Sequence, residues 1–370
     1  MAPWRWVGAA LNPVCAGFEL GRSCVHHNSR SSCIRTIAML LAAGFLTPAH
    51  ATPRTNLADG AVGQIELHSH TPTGQSLFLS RAYLKDPPIV ISGTLSLPTN
   101  STLGKDGKFP AVILMHGSGG ISEEREYAWA RRLNSWGIAT FVLDSFSGRG
   151  IKPPNYADKN FVHGVAHVLD AYLSLQLLAT HPKIDGARIA VMGFSKGGQA
   201  SLDVVFEPFR VAALGPSAPH KFAAYVPFYP YCNFRHVSKS LATAPMLMLL
   251  AGRDEMTEPK PCQHAASWFK ERGIPIKVVV YPDAHHAFDR LSGLQFDKNY
   301  IGIKTCEAEM DLDTRKIRRL DTGAPLATKE ANDAWLAECR KRGARFGGDA
   351  KSREAAIVEV RAFLNGVFTR

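Results

Sequence analysis

The sequence predicts an α/β protein built on a mostly parallel sheet with helices on both faces. Segments with strand and helix character alternate along the chain, which is typical of a parallel sheet with right-handed crossovers. Several strand segments are unbroken apolar runs, such as Ala111–Met115, and these indicate strands that are covered on both faces. No internal repeat competes with this interpretation.

The predicted strands begin near residue 64. The β-rich segments 64–68 and 88–97 are expected to form an antiparallel pair at the edge of the sheet. Buried strands are then expected, in chain order, at 111–115, 138–146, 188–192, 221–229, 244–252 and 274–282.

Helices are predicted between the buried strands. In the segment 123–136, Trp129, Leu133 and Trp136 repeat at steps of four and three, and Gly137 follows as a C-cap. Further helices are expected at 165–178, from the turn at 193–198 toward 205, at 264–272 and, as a closing amphipathic helix, at 353–364.

The pattern loosens after Phe288, and within this part only 331–342 has helical character. We therefore predict a single domain over residues 52–370, with an insertion at about 290–350 that precedes the C-terminal helix.

The composition is that of an ordinary globular protein, with 370 residues of which 45% are apolar and 20% charged. No run approaches the roughly 18 apolar residues that a membrane-spanning helix requires, so the mature chain is expected to hold no integral membrane segment. The formal net charge is +11, but its Lys and Arg residues are scattered, with no basic tract interleaved with aromatic residues. Nucleic-acid binding is therefore not expected.

The first 51 residues have the pattern of an export leader. Ile37–Leu46 is an apolar run of signal-peptide length with Arg30 and Arg35 ahead of it, and Ala49–Ala51 (AHA) is the small-x-small pattern that signal peptidase cuts. We expect residues 1–51 to be a signal peptide and the mature protein to be periplasmic or secreted. A buried N-terminal helix is the alternative interpretation.

Reactive side chains follow four of the buried strands. Ser195, Asp254, His286 and the glycine-rich loop His116–Gly120 each come soon after such a strand. Ligands of parallel sheets bind beyond the carboxyl ends of the strands, so these groups are expected to share one site. The order serine, acid, histidine is the one found in α/β-hydrolases.

The segment Ile189–Ala200 (IAVMGFSKGGQA) converts a strand into a helix at Ser195. A nucleophilic serine on so tight a turn has a strained backbone, and glycines at 193 and 197 avoid the collisions that side chains would cause there. Gly193 and Gly197 are those residues. The alternative is an ordinary helix-capping serine.

Five motifs together resemble the dienelactone hydrolase family of the α/β-hydrolase fold. They are HGSGG, LDSFSGRG, DGARIAVMGFSKGG, LAGRDEMTEP and YPDAHHAF, and they run from about Phe109 to Phe288. The namesake enzymes of that family use a cysteine nucleophile, whereas this chain has Ser195. The resemblance therefore implies a serine esterase on that fold.

The family pattern selects the other two members of a catalytic triad. Its Gly-x-Asp matches Gly252–Asp254, which favours Asp254 over the nearby acids Glu255, Asp283 and Asp289. Its small–x–His–small–Phe matches Ala284–Phe288, which favours His286 over His285. Adjacent side chains in an extended loop point apart, so only one of the two histidines is expected to serve.

An oxyanion hole is expected from two backbone N–H groups. One is that of Lys196, at a helix N-terminus where negative charge is favoured, and the other is from the HGSGG loop, where we select Ser118. His116 in that loop is expected to be a structural hydrogen-bonding residue, and the side chain of Lys196 is expected to be solvated.

Other polar residues have weaker signals. Asp144 and Arg149 are predicted to form an ion pair that shapes the pocket, with substrate-carboxylate binding by Arg149 as the alternative. His68 and His70 form an H-x-H pattern without a nearby Cys or carboxylate partner, which is a weak indication of metal binding. No phosphate-binding or dinucleotide-binding motif is present, and no metal or organic cofactor is expected.

Four cysteines remain after removal of residues 1–51, and in an exported protein they suggest two disulfides among three connectivities. Cys232 and Cys262 follow consecutive strands, which are commonly neighbours, so we predict that they pair. Cys306 and Cys339 are then left to pair inside the insertion. The alternative is four free, buried thiols.

These observations predict a serine hydrolase that cleaves a small carboxylic ester or lactone through an acyl-enzyme intermediate. A peptidase of the oligopeptidase-like group is one alternative, although the segment upstream is too short for the large cap that such enzymes use. A non-catalytic binding protein on the same fold is another, against which the complete triad argues.

Overall fold

The computed structural model describes residues 52–99, 104, 106–151, 162–304 and 306–369. The expected leader, residues 1–51, lies outside this described part of the chain. Within it, no helix is both long and apolar enough to cross a membrane.

Eight strands form the central sheet in the order β1-β2-β4-β3-β5-β6-β8-β9. β2 runs antiparallel to both of its neighbours, and every other adjacent pair is parallel, as the sequence predicts. The strand bounds, including β7 of a second sheet, are β1 (Gly63–Ser69), β2 (Ile89–Ser96), β3 (Phe109–Met115), β4 (Ala139–Asp144), β5 (Ile184–Phe194), β6 (Tyr225–Phe228), β7 (Phe234–Val237), β8 (Met246–Ala251) and β9 (Ile276–Tyr281).

Eight α-helices are described, and those outside the insertion flank this sheet. Their bounds are α1 (Gln75–Leu79), α2 (Ala128–Ser135), α3 (Gly164–Leu178), α4 (Lys196–Asp203), α5 (Glu207–Leu214), α6 (Pro259–Glu271), α7 (Lys329–Cys339) and α8 (Ala350–Phe368). The predicted helix 123–136 begins with a π-turn, Glu123–Tyr127, before α2. The short helices α1 and α5 were not predicted.

Two apolar cores lie on opposite faces of the sheet because alternate side chains of a strand point to opposite sides. In β3, Ile113 and Met115 belong to a core that includes α3, α5 and α6. Val112 and Leu114 belong to the other core, which includes α2 and α8. This two-sided burial is the reason that the central strands read as unbroken apolar runs.

The insertion has more regular structure than its sequence indicates. It contains β10 (Gln295–Ile303), β11 (Ala308–Asp311), β12 (Ile317–Arg319), α7 and β13 (Arg340–Phe346). β10 pairs with β13, and β11 lies between β12 and β7 in a second small sheet. The side chains of β10 are mostly exposed, so its sequence lacks the apolar alternation that identifies a strand.

Two disulfides tie the second half of the chain. Cys232–Cys262 joins the segment after β6 to α6, with a Cα–Cα distance of 5.0 Å. Cys306–Cys339 joins the segment after β10 to the end of α7, with a Cα–Cα distance of 5.7 Å. The structure thus contains both predicted pairs, the first expected from consecutive strands and the second as the pair left in the insertion, and not four free thiols.

Candidate active site

Ser195 lies at the turn from β5 into α4, with φ 54° and ψ −112°. A positive φ of this kind is costly for a residue with a side chain, and neighbouring atoms hold it in place. A Cβ on Gly193 would lie 2.0 Å from the carbonyl oxygen of Gly197, and one on Gly197 would lie 2.2 Å from that of Met115. Only glycine fits at either position, so the tight turn depends on both.

His286 and Asp254 form a buried hydrogen-bonded pair. His286 Nδ1 lies 2.8 Å from Asp254 Oδ2, and each residue is 5% exposed. Asp254 Oδ1 accepts the backbone N–H groups of Met256 and Thr257, both at 2.8 Å. The carboxylate is therefore fixed in position, and Nδ1–H of the imidazole donates to it, which leaves Nε2 as the acceptor.

Ser195 and His286 line one cavity of about 270 Å³, which we call the histidine cavity. The loop Gly117–Gly120 and Arg290 also line it. His285 instead lines another cavity with Arg253, Asp254 and Glu255, and Ser195 is not among the described residues that line it. The structure therefore brings Ser195, Asp254 and His286 to one site and turns His285 away from it.

The loop that carries His286 is held in place by the end of the insertion. Gly347 N–H donates to the His286 carbonyl oxygen at 2.8 Å, and His286 forms an isolated β-bridge with Phe346. The ring of Tyr229 lies edge-on to the imidazole, with centroids 4.6 Å apart. β13 thus positions the histidine, a contribution that sequence reasoning missed.

The glycine-rich loop lies directly against the serine. A Cβ on Gly117 would be 3.3 Å from Ser195 Cβ, and Ser118 follows in the wall of the cavity. His116 Nδ1 donates to Gly117 O at 2.8 Å, and its Nε2 accepts Ser145 N–H at 3.2 Å. Burial lowers the pKa of His116, so this neutral ring shapes the loop.

Thr257 is a further polar residue of the site, and sequence reasoning did not select it. Its Oγ1 lies 3.1 Å from both Asp254 Oδ2 and His286 Nδ1, and 3.0 Å from the Tyr229 carbonyl oxygen. The threonine lies inside the LAGRDEMTEP motif, three positions after Asp254, and this spacing was the available signal.

Comparison of the sequence with models of known protein families agrees with this arrangement of the site. The model of the dienelactone hydrolase family matches residues 91–300, more than half of the chain. The chain belongs to the dienelactone hydrolase family. Family membership and the strand order assign it to the α/β-hydrolase fold.

Individual relatives of this dienelactone hydrolase family member are distant. It is 23% identical over 131 residues to the uncharacterized protein YcjY of Escherichia coli K12, a match that spans 35% of this chain and 41% of that protein. A propionate-bound thermophilic esterase from Thermogutta terrifontis has 15% identity and a TM-score of 0.42, with 54% of this chain and 81% of that chain covered. A dienelactone hydrolase-like promiscuous phosphotriesterase from metagenomic libraries has 13% identity and a TM-score of 0.49, with 82% and 99% covered.

The prediction that Asp144 and Arg149 form an ion pair is wrong. Asp144 instead accepts the N–H groups of Phe146 and Ser147, both at 2.9 Å, in a local turn. Arg149 binds Asp170 of α3 through two bonds of 2.7 and 2.9 Å. All five of its N–H groups have acceptors, on Asp170, Ser145, His70 and Thr71, so none remains for a substrate carboxylate.

The expectation of a solvated Lys196 side chain is also wrong. Its ammonium group donates to the carbonyl oxygen of Val162, and the residue is half-buried. The carbonyl belongs to the segment before α3, and no sequence pattern indicates that this segment lies beside α4. The backbone N–H of Lys196 lies in the first turn of α4, next to Ser195.

A second cavity of about 390 Å³ adjoins the first, and we call it the polar cavity. Ser118, Ser195 and Tyr300 line both cavities. The Tyr300 hydroxyl, from β10 of the insertion, donates to the Met256 carbonyl oxygen at 2.9 Å. The insertion therefore supplies part of the wall between the two cavities.

The H-x-H pattern has no metal-site geometry around it. His68 is exposed, and the ring of His70 packs edge-on against Tyr83 with centroids 5.5 Å apart. In the described ranges, no group of three or more His, Cys, Asp or Glu side chains is arranged to hold a metal ion.

Proposed function

We propose that this protein is a serine esterase that cleaves small carboxylic esters or lactones through an acyl-enzyme. One observation carries the proposal: the strained Ser195 and the hydrogen-bonded pair His286–Asp254 meet at one cavity. Membership of a hydrolase family supports the reaction type, and a small-molecule substrate suits a cavity of this size.

The acylation step follows from this arrangement. His286 Nε2 accepts the proton of the Ser195 hydroxyl while Oγ attacks the ester carbonyl carbon. The backbone N–H groups of Lys196 and Ser118 stabilise the oxyanion, and Asp254 stabilises the imidazolium. The C–O bond of the ester then breaks, and His286 returns the proton to the leaving alcohol.

Deacylation uses the same groups with water in place of the alcohol. His286 accepts a proton from a water molecule, whose oxygen attacks the acyl carbon, and the bond to Ser195 Oγ breaks with return of the proton to that oxygen. The products are one carboxylic acid and one alcohol, and the enzyme is regenerated.

The test is active-site labelling with a fluorophosphonate, together with turnover of nitrophenyl esters of increasing acyl length. We expect one label per chain at Ser195, and we expect Ser195→Ala to abolish it and to lower kcat by roughly 10³- to 10⁶-fold. Ser267→Ala, on the exposed side of α6, is the matched control and keeps both. Label on another serine, or faster turnover of an aminoacyl anilide than of any ester, contradicts the proposal.

We also propose that the protein is exported and begins at Thr52 after cleavage. The support is the leader pattern of residues 1–51 together with two disulfides, which persist in oxidising compartments. N-terminal sequencing of the protein from a host with a secretion system is the test. Recovery of the uncleaved chain from the cytoplasm with reduced cysteines would contradict export.

A further inference from the structure

The polar cavity is lined mainly by side chains that can form hydrogen bonds. A volume of about 390 Å³ falls within the range of small-molecule sites. The polar side chains away from the catalytic residues are Gln75, His163, Gln199, Asp203, Tyr231 and His236, and the ring of Phe234 adds an apolar surface. Such a wall matches a ligand with several polar groups better than an alkyl chain.

Two of these residues form a buried pair at the side of the cavity. Asp203 and His236 are 4% and 3% exposed, and Asp203 Oδ1 accepts from His236 Nδ1 at 2.8 Å. His236 Nε2 accepts from the Gln75 amide nitrogen at 3.3 Å. Both ring nitrogens of His236 therefore have partners, while the second oxygen of Asp203 and the amide oxygen of Gln75 remain acceptors for a ligand.

Gln199 adds a group that can both donate and accept. It lies on α4, one turn after Ser195, and its backbone N–H donates to the Ser195 carbonyl oxygen at 2.8 Å. Across the described residues, its side-chain amide has no hydrogen-bond partner. Tyr231 contributes a hydroxyl, and burial raises its pKa, so this group stays protonated.

The charges in the wall nearly cancel. The positive charge is the Lys196 ammonium group, which donates a hydrogen bond to the Val162 carbonyl oxygen. Asp203 is the one carboxylate among the described lining residues. Burial, followed by the nearby His236 and Lys196, lowers the pKa of His163 to about 4, so its ring is neutral at physiological pH. An anionic or cationic ligand finds little net counter-charge here, whereas neutral hydroxyl groups can both donate and accept.

The position of His286 indicates which part of an ester enters the polar cavity. His286 lines the histidine cavity and is not among the described residues that line the polar one. Since His286 protonates the leaving alcohol, the alcohol part lies on the histidine side. The acyl part, bonded to Ser195, then extends to the other side.

We propose that the polar cavity selects a hydroxylated acyl group, so that the preferred substrates are esters or lactones of polyhydroxy carboxylic acids. This inference rests on the proposed ester hydrolysis and names its substrate class. Gln199, Asp203 and Gln75 bind the hydroxyl groups of the acyl part.

Three esters with six-membered rings test the proposal. They are the methyl ester of a hexuronic acid glycoside, with hydroxyls on the acyl side; methyl cyclohexanecarboxylate, without hydroxyls; and a 6-O-acetyl hexoside, with hydroxyls on the alcohol side. We expect kcat/KM for the hexuronate ester to exceed that of each of the other two by roughly tenfold or more, because a site built to bond hydroxyls discriminates against analogues that lack them.

Gln199→Leu should lower kcat/KM for the hexuronate ester roughly three- to tenfold and leave that for methyl cyclohexanecarboxylate within about twofold. Gln263→Leu, on the exposed face of α6, is the matched control and changes neither rate. Equal or faster turnover of methyl cyclohexanecarboxylate or of the 6-O-acetyl hexoside overturns the inference, although the proposed ester hydrolysis stands. The inference is also overturned if Gln199→Leu leaves unchanged the ratio of kcat/KM for the hexuronate ester to that for methyl cyclohexanecarboxylate. Absence of both ester turnover and a label on Ser195 overturns the proposed function itself.

Discussion

At the scale of single residues, Thr257 shows how the acid and the histidine are kept in register. Its one hydroxyl proton has acceptors on Asp254 and Tyr229, and its oxygen can accept from His286 Nδ1. It therefore restricts the imidazole to the orientation that serves Ser195. Thr257 does not contact the reacting atoms, so it acts as a positioning residue.

We predict that Thr257→Val, which removes the hydroxyl at nearly constant shape, lowers kcat on a nitrophenyl ester by roughly fivefold, the value of one lost hydrogen bond of about 1 kcal/mol. KM should change little, because the Thr257 hydroxyl is engaged by Asp254, Tyr229 and His286. Thr257→Ser restores the hydroxyl and should restore most of kcat. A serine variant as slow as the valine variant would show that the methyl group, and not the hydroxyl, matters.

The two adjacent histidines provide a second test at this scale. His286 faces Ser195 across the histidine cavity, whereas His285 lines another cavity. We predict that His286→Ala lowers kcat by roughly 10³- to 10⁶-fold, as loss of a triad member does, and that His285→Ala stays within a few-fold of the wild type. Steady-state kinetics on one ester decide it. The reverse result would move the assignment by one residue.

A site residue can be predicted from the sequence when its backbone conformation requires particular residues at nearby positions. The turn at Ser195 requires glycines at fixed offsets, so the motif itself carries the geometry. Arg149 has no such pattern, because its partner Asp170 lies in the middle of the apolar helix α3 and the nearer Asp144 uses its oxygens on its own turn. Proximity in sequence was a poor guide there.

At the scale of elements, each disulfide joins two segments that lie far apart in the sequence. Each closes a loop, with sequence separations of 30 and 33, and in the loop-entropy model each contributes about 3–4 kcal/mol. Cys306–Cys339 joins the end of α7 to the segment after β10. The strand β10 itself provides Tyr300.

We predict that Cys306→Ala, Cys339→Ala and the double variant lose nearly the same free energy of unfolding, within about 0.5 kcal/mol, because each breaks the same bond. Denaturant unfolding of the three variants measures this. Non-reducing peptide mapping of the wild type should show Cys306–Cys339 and Cys232–Cys262 peptides. Additive losses, or a Cys232–Cys306 peptide, would contradict the pairing.

The strands that sequence reasoning missed are those whose partners lie far away in the chain. β7 has four residues and gains its neighbour, β11, only from the insertion. β10 is largely exposed and is stabilised by pairing with β13. Local periodicity does not report such pairing, whereas the buried strands of the central sheet have a strong local signal.

At the scale of the whole molecule, buried neutral histidines connect stability to pH. Burial lowers the pKa of His116, His163 and His167, and for His167 the charges of Lys196 and Arg149 lower it further. In the unfolded chain these three histidines bind protons near pH 6.5, whereas in the folded chain they bind protons only at lower pH. Stability from these groups is therefore present above that pH and is lost as the pH falls toward 4.

We predict that His167→Leu makes the free energy of unfolding less dependent on pH between 6 and 4, by up to about 1.4 kcal/mol per pH unit, the value for one proton. His167 is 1% exposed, and neither ring nitrogen has a hydrogen-bond partner among the described residues. Urea unfolding at several pH values measures the slope, with the exposed His68→Leu as control. An unchanged slope in His167→Leu would contradict the linkage.

The insertion leaves the main body and returns to it at neighbouring points. β10 and β13 run side by side, and Gly347 and Gly348 donate their N–H groups to His286 and Ser292 at 2.8 and 2.7 Å. A segment attached in this way can be exchanged without disturbing the strand order of the central sheet. Because the insertion carries Tyr300 into the wall of both cavities and its end holds the backbone of His286, a change of its length or sequence would alter the shape of the cavities and the support of the histidine together.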